Sequence, residues 1–158
     1  MSAAAETDHY TVNLTRELAA PRELVFEAWS SSAHLEKWFA PDGFTCTYPV
    51  DFRPGGAFSL TMTGFGMTHT VRGVYREIVR PERIVQTMMF DDMPGVEVLT
   101  TVTFVAQGAK TLLTVTQRFP PLAQLSAAHR TLLEPRLRGA PIGWGQTLQH
   151  LADHVERR

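Results

Sequence analysis

Hydrophobic and polar positions alternate at the start of the chain and then change to helical spacing. Residues 10–19 alternate, which predicts a half-buried first strand. From Pro21 to residue 30 the apolar residues recur three or four apart, which predicts a short helix with proline at its first position. A second short helix is predicted around Trp38, and the turn residues that begin at Pro41 end it.

From residue 44 to residue 119 the hydrophobic pattern has a period of two. Six runs rich in β-branched and aromatic residues are separated by turns that contain glycine or proline, among them Gly64-Phe65-Gly66. Short connections require antiparallel neighbours, because a parallel crossover takes about a dozen residues or more. Together with the first strand, the pattern predicts a seven-stranded antiparallel sheet that has one buried face.

After the last predicted strand the pattern is interrupted by prolines. We expect residues 120–140 to be irregular, with one or two helical turns from Ser126 to Leu133 that Pro135 ends. A last helix is predicted from Pro141, and the inner face of the sheet is the large apolar surface left for it to cover. The sequence therefore predicts an α+β fold in which a curved sheet wraps around a long C-terminal helix. The apolar stripe of that helix consists of Trp144, Leu148, Leu151 and Val155.

Length and composition fit one ordinary globular domain. The chain has 158 residues, 44% of them hydrophobic and 20% charged, with a net charge of −1, which argues against intrinsic disorder. We expect a flexible N-terminus over 1–9 and a single domain over 10–158. There is no apolar run long enough to span a membrane, and the N-terminal residues lack signal-peptide features, so a cytoplasmic location is expected.

Charge and cysteine content limit the kinds of partner and of reactive site that the chain is expected to have. The 15 basic residues balance 16 acidic ones and are scattered along the chain, which argues against a nucleic-acid partner. The single cysteine, Cys46, lies in an alternating run and is interpreted as a half-buried structural residue. His150 and His154 are four apart but lie off the apolar stripe, so we expect them to face solvent and predict neither a metal site nor a cofactor.

Two polar residues fall on strands that are otherwise apolar on the inner face. Gln117 shares its parity with Leu113 and Val115, and a buried amide needs a hydrogen-bond partner in the protein or in a ligand. His69 lies at the start of a predicted strand beside methionine and aromatic residues. The nine Phe, six Met and three Trp residues suit either a filled core or an adaptable cavity.

Several motifs, in order, resemble a known family. The chain is similar to the START/Bet v 1-like (SRPBCC) superfamily and, within it, to the family of the C-terminal domain of the activator of Hsp90 ATPase. The motifs that carry the resemblance are the run from Pro21 to Trp29, Lys37-Trp38-Phe39, the segment from Asp51 to Gly56, the segment from Gly73 to Ile78, and Gly143-Trp144.

The resemblance implies a helix-grip fold with two short helices after the first strand. It also implies a cavity between the sheet and the C-terminal helix that can hold a hydrophobic ligand. Many relatives have histidine where Gln117 stands, and because glutamine cannot act as a general base near neutral pH, this departure weakens an enzymatic interpretation. The superfamily includes carriers, receptors, cyclases and co-chaperones, so the fold alone does not fix the function.

Binding of a small hydrophobic ligand, lipid-like or cyclic, is therefore the first hypothesis. The alternatives are a polyketide cyclase-like enzyme that uses His69, Tyr75 or Glu77 as acid–base groups, and an Hsp90 co-chaperone-like module with a chaperone partner. A homodimer is also left open. The predicted ligand-binding residues are Trp38, Phe58, Leu60, Met62, His69, Tyr75, Met88, Phe90, Phe104, Gln117, Trp144 and Leu148.

Overall fold

In the computed structural model, which describes residues 10–156, seven strands and three α-helices follow one another as the hydrophobic pattern indicates. The predicted flexible segment 1–9 lies outside the described residues. The elements are β1 (Tyr10–Leu18), α1 (Arg22–Glu27), α2 (Ser32–Trp38), β2 (Thr45–Thr47), β3 (Ala57–Gly64), β4 (Met67–Val79), β5 (Arg83–Phe90), β6 (Glu97–Gln107), β7 (Lys110–Phe119), a 3-10 turn (Leu122–Gln124) and α3 (Ala127–Glu156).

All seven strands belong to one antiparallel sheet. Their spatial order is β1-β7-β6-β5-β4-β3-β2, so consecutive strands from β2 to β7 are neighbours and β1 pairs with β7. The sheet curls into a half-barrel around α3, and the two short helices follow β1. The predicted α+β helix-grip fold is confirmed.

One strand of the sheet, β2, is shorter than predicted. The run that begins at residue 44 forms only the three-residue β2, because Pro49 has no N–H to donate to the ladder. The chain rejoins the sheet at an isolated bridge between Val50 and Phe58. The β3–β4 connection is a hairpin, as expected, with Phe65 at φ 54° and Gly66 at φ 73°, the left-handed pair that two-residue hairpin turns require.

The first short helix, α1, packs against β6, and the second, α2, lies against β2 and α3. Ser31 caps the start of α2, where its hydroxyl accepts a 3.2 Å hydrogen bond from the N–H of His34. The indole of Trp38 donates to the carbonyl of Ala28 at 3.0 Å, which joins α2 to the end of α1. Phe26 meets Phe104 of β6 edge to face, with ring centroids 5.1 Å apart.

The C-terminal helix is longer than predicted, and the expectation of an irregular 120–140 segment is wrong from Ala127 onward, while residues 120–126 contain only a 3-10 turn at Leu122–Gln124. α3 is continuous from Ala127 to Glu156, although Pro135 and Pro141 lie inside it. An interior proline loses one helical hydrogen bond and costs about 3 kcal/mol. Leu133 and Leu137 are buried against the core, and each such burial contributes about 1.5–3 kcal/mol, enough with the rest of the stripe to offset that cost.

Within residues 10–156, no helix combines the length and the hydrophobicity that crossing a membrane requires.

Candidate functional site

A cavity of about 180 Å³ lies between the inner face of the sheet and the middle of α3. Its walls are mostly hydrocarbon and sulfur, as is usual for sites that hold small apolar molecules. The sheet contributes Leu60, Met62, Val71, Met88, Phe90, Gln117 and Phe119, helix α3 contributes Arg136, Ala140, Gly143, Trp144 and Thr147, and the segment after α2 contributes Phe39 and Pro41.

Strand alternation and helical spacing bring these residues to one space. Leu60 and Met62 are two apart on β3 and therefore share a face. On α3, Ala140 and Trp144 are four apart, and Gly143 lies beside them. Since Ala140 carries only a methyl group and Gly143 has no side chain, the helix leaves space that larger residues would fill.

A hydrogen-bond network lies along one wall. The indole N–H of Trp144 donates to Gln117 Oε1 at 3.0 Å. The Gln117 amide nitrogen lies 3.3 Å from Thr100 Oγ1 and 3.6 Å from the sulfur of Met88. The amide is therefore satisfied by the protein, so a ligand is not needed to account for a buried glutamine.

Arg136 brings a positive charge to the same cavity. Its guanidinium forms a two-armed ion pair with Asp92, including a 2.9 Å bond from Nη1 to Oδ1, and lies 5.0 Å from the centre of the Phe90 ring. The hydrogen bond from Arg136 holds the pKa of Asp92 below its ordinary value. Both groups are therefore charged at neutral pH.

Half of the predicted ligand-binding residues line this cavity. They are Leu60, Met62, Met88, Phe90, Gln117 and Trp144. Their contact with a ligand stays a prediction, because the structure holds only the protein chain.

The other predicted residues lie elsewhere. Five of them are buried in the core away from the cavity: Trp38, Phe58, Tyr75, Phe104 and Leu148. Tyr75, one of the predicted ligand-binding residues, has Phe52 and Phe58 as ring neighbours at 5.1 and 5.5 Å, and burial raises the pKa of its hydroxyl. His69 lines a separate small cavity of about 90 Å³ beside Asp91, Asp92 and Arg136.

Sequence reasoning missed eight lining residues. They are Phe39, Pro41, Val71, Phe119, Arg136, Ala140, Gly143 and Thr147. A usable signal existed for the helix, because Leu133, Leu137, Ala140 and Trp144 continue the apolar stripe upstream at spacings of four, three and four. Pro135 and Pro141 lie within this stretch and favoured the prediction of an irregular segment instead of a helix.

His150 and His154 do not simply face solvent, and that expectation is wrong. The two ring nitrogens of His150 lie 2.7 Å from the Ala40 carbonyl and 2.7 Å from Asp42 Oδ1. His154 Nε2 lies 3.1 Å from Nδ1 of His34 on α2. Both histidines therefore connect the end of α3 to α2 and the segment after it. Among residues 10–156, no three His, Cys, Asp or Glu side chains are placed to hold a metal ion.

A larger cleft of about 460 Å³ lies at this end of α3, where side chains such as Glu36, Lys37, Asp153 and His154 give it a mixed, charged wall. Cys46 also lines it and is half-buried, as predicted. Burial, and secondarily the charge of Glu36, raises the pKa of the Cys46 thiol to about 11. A thiol that stays protonated at neutral pH is a poor nucleophile.

A curled antiparallel sheet closed over a long C-terminal helix, with an apolar cavity between them, defines a helix-grip protein of the SRPBCC superfamily. The family model described as "Activator of Hsp90 ATPase homolog 1-like protein" matches residues 19–156, and the chain belongs to that family. The resemblance inferred from the motifs is confirmed.

Solved structures agree with this assignment. Protein CV1439 from Chromobacterium violaceum is 34% identical, with a TM-score of 0.78 over 92% of this chain and 96% of that one. A protein from Rhizobium leguminosarum is 30% identical, with a TM-score of 0.68 over 96% and 97% of the two chains. CalU16 from Micromonospora echinospora, 18% identical with a TM-score of 0.67 over 93% and 76%, shares the fold. A comparison with curated proteins gave no match.

Proposed function

We propose that this protein binds a small, mostly apolar ligand in the cavity between the sheet and α3. The observation that carries the proposal is the cavity itself, about 180 Å³ in volume with predominantly apolar walls. Its position agrees with the family, whose fold commonly binds hydrophobic ligands. The satisfied Gln117 amide and the Arg136 guanidinium are the polar groups that would orient the ligand.

The volume limits the size of the ligand. Drug-sized molecules occupy pockets of about 300–1,000 Å³, whereas an apolar cavity of about 150 Å³ binds benzene. A cavity of about 180 Å³ therefore suits one aromatic ring with a short substituent, or a short aliphatic chain. A long-chain lipid would need the helix to move away from the sheet.

A cyclase-like enzyme is less well supported. Acid–base catalysis needs titratable groups within hydrogen-bond reach of one another, and Arg136 is the one titratable side chain in the cavity lining that the structure describes. An arginine stays protonated and cannot serve as the base. Of the three groups named for this role, Tyr75 is buried in the core, Glu77 is paired with Arg83 at the surface, and His69 lines a separate small cavity.

A chaperone partner is also less well supported. Docking of a protein requires a contiguous apolar or charged patch. Among the described residues, exposed large apolar side chains include Phe65 in the β3–β4 turn, Val74 on β4, Val105 on β6 and Ile142 on α3. With Tyr10, Met67 and Leu132, the other exposed side chains of this kind, they are spread over β1, β4, β6, α3 and the β3–β4 turn, so they favour no single docking surface.

The direct test is calorimetric titration with neutral apolar probes, for which we choose indole, phenylpropanol and hexanol. A ligand of about ten non-hydrogen atoms is expected to bind with a Kd of roughly 0.1–1 mM. Ala140→Phe places a ring in the cavity and should weaken binding of every probe at least tenfold. Ala128→Phe, on the exposed part of the same helix, is the matched control and should leave the affinities unchanged.

Two results would contradict the proposal. One is the absence of binding by all three probes at millimolar concentration. The other is binding that Ala140→Phe does not weaken, because the probes would then occupy another site. Circular dichroism of both variants checks that the fold is retained.

A further inference from the structure

The apolar cavity borders a second, polar space. This space, which we call the polar basin, has a volume of about 90 Å³ and is lined by Thr68, His69, Thr70, Asp91 and Asp92 together with Phe90 and Arg136. Phe90 and Arg136 also line the apolar cavity. The sheet register continues across the boundary, because Met62 of the apolar cavity is paired with His69 of the polar basin. The two spaces thus meet at the Phe90–Arg136 contact.

We propose that the natural ligand is amphiphilic, with an apolar body in the cavity and a carboxylate that takes the guanidinium of Arg136 in place of Asp92. This inference rests on the proposed function, and it adds the chemical class of the ligand.

The charges of the polar basin balance before a ligand binds. Asp92 pairs with Arg136, and Asp91 lies 3.5 Å from Arg72. A charged ligand must therefore replace one member of an existing pair. An anion would replace an aspartate, and a cation would replace an arginine.

The aspartate is the member that is easier to replace. Asp92 lies in the turn between β5 and β6, and 48% of its side chain is exposed, so water can solvate it once it is released. Arg136 projects from the long helix, is 27% exposed, and is held over the Phe90 ring. Such a partly exposed ion pair contributes little to stability, so its exchange costs little.

A carboxylate fits the vacated position. The guanidinium presents parallel N–H donors, and the two-armed contact with Asp92 shows that they are aimed at a planar pair of oxygens.

The experiment compares three probes with the same ring and chain length: phenylpropionate, phenylpropanol and phenylpropylamine. Calorimetry of the parent protein should show phenylpropionate binding severalfold more tightly than the alcohol, because the ligand carboxylate keeps the two-armed bond to Arg136 while water solvates the released Asp92. Arg136→Met should bring the ratio close to one. Asp92→Asn, which removes the competing carboxylate, should tighten phenylpropionate binding severalfold.

Arg138→Met is the matched control, because Arg138 is exposed on the same helix and lines neither space. It should keep the severalfold preference for the acid over the alcohol. Thermal unfolding of each variant checks that the fold is intact.

The outcomes separate the two proposals. Equal affinities for acid and alcohol would overturn the carboxylate assignment and leave the apolar site standing. Tightest binding of the amine would overturn it in favour of a cation. If none of the three binds, the proposed function fails, and the carboxylate assignment fails with it.

Discussion

Trp144 of α3 donates its indole N–H to the amide oxygen of Gln117 on β7 at 3.0 Å. This bond joins the middle of the long helix to the inner face of the sheet at the wall of the cavity. Because Gln117 also contacts Thr100 and Met88, the indole is held by a network that spans three strands. The network fixes the position of a cavity wall.

Removing either partner of this bond should destabilise the fold. We expect Trp144→Phe and Gln117→Leu each to lower the free energy of unfolding by about 1–3 kcal/mol, because a buried polar group loses its partner. Urea denaturation of both single variants and the double variant measures the coupling, which should be about 1 kcal/mol. A coupling energy near zero would show that the bond does not contribute.

Gly73 is predicted to tolerate no side chain. A Cβ built there would lie 1.8 Å from the carbonyl oxygen of Thr87 and 2.8 Å from Phe58. Gly73→Ala should lower the free energy of unfolding by about 3 kcal/mol or more, since β4 and β5 would have to separate. The matched control is Gly139→Ala on α3, where nothing lies within 4 Å, and it should raise stability by about 0.5–1 kcal/mol. Equal effects of the two substitutions in urea denaturation would contradict this packing.

The Asp92–Arg136 pair predicts a pH-dependent contribution to stability. A carboxyl whose pKa is lowered in the folded state stabilises that state above its unfolded pKa, here near 3.8, and the contribution is lost as the pH falls through the lowered pKa. Since the pair is partly exposed, Asp92→Asn should cost less than about 1 kcal/mol at neutral pH and nothing in strong acid. Urea denaturation of the parent protein and of Asp92→Asn, from neutral pH to strong acid, measures this difference in the free energy of unfolding.

The same substitution in an Arg136→Met background is the control for that pH dependence. Without the guanidinium, the pKa of Asp92 should return toward its ordinary value, and the cost of Asp92→Asn should become independent of pH. A pH dependence that persists in this background would assign the effect to a different partner.

Cys46 should react slowly with alkylating reagents. With its pKa raised from 9.0 to about 11, the thiolate fraction near pH 8 is on the order of 100-fold smaller than for an ordinary cysteine. The rate of iodoacetamide labelling, followed by mass spectrometry, should be reduced accordingly and should rise toward pH 11. Labelling in urea should restore the ordinary rate. Glu36→Gln should speed the reaction in the folded protein, because the Glu36 charge raises this pKa.

Much of the fold could be predicted from the chain, and the failures have physical causes. Inward parity was assigned correctly to Leu113, Val115 and Gln117 on β7, because alternation along a strand is a local property. The continuity of α3 was missed at Pro135, because the local cost of proline is offset by distant packing that the pattern does not display. The partners of His150 and His154 were missed for the same reason, since they come from α2 and the segment after it.

The sequence by itself determined the seven strands, the two short helices, the apolar face of the sheet and the family, since each depends on the order and spacing of neighbouring residues. Only the tertiary structure decided which apolar residues surround a cavity and which fill the core. Met88 lines the cavity while Phe104, with the same inward orientation, is buried against Phe26. A cavity exists where side chains from distant segments leave space unfilled, and no local pattern records that space.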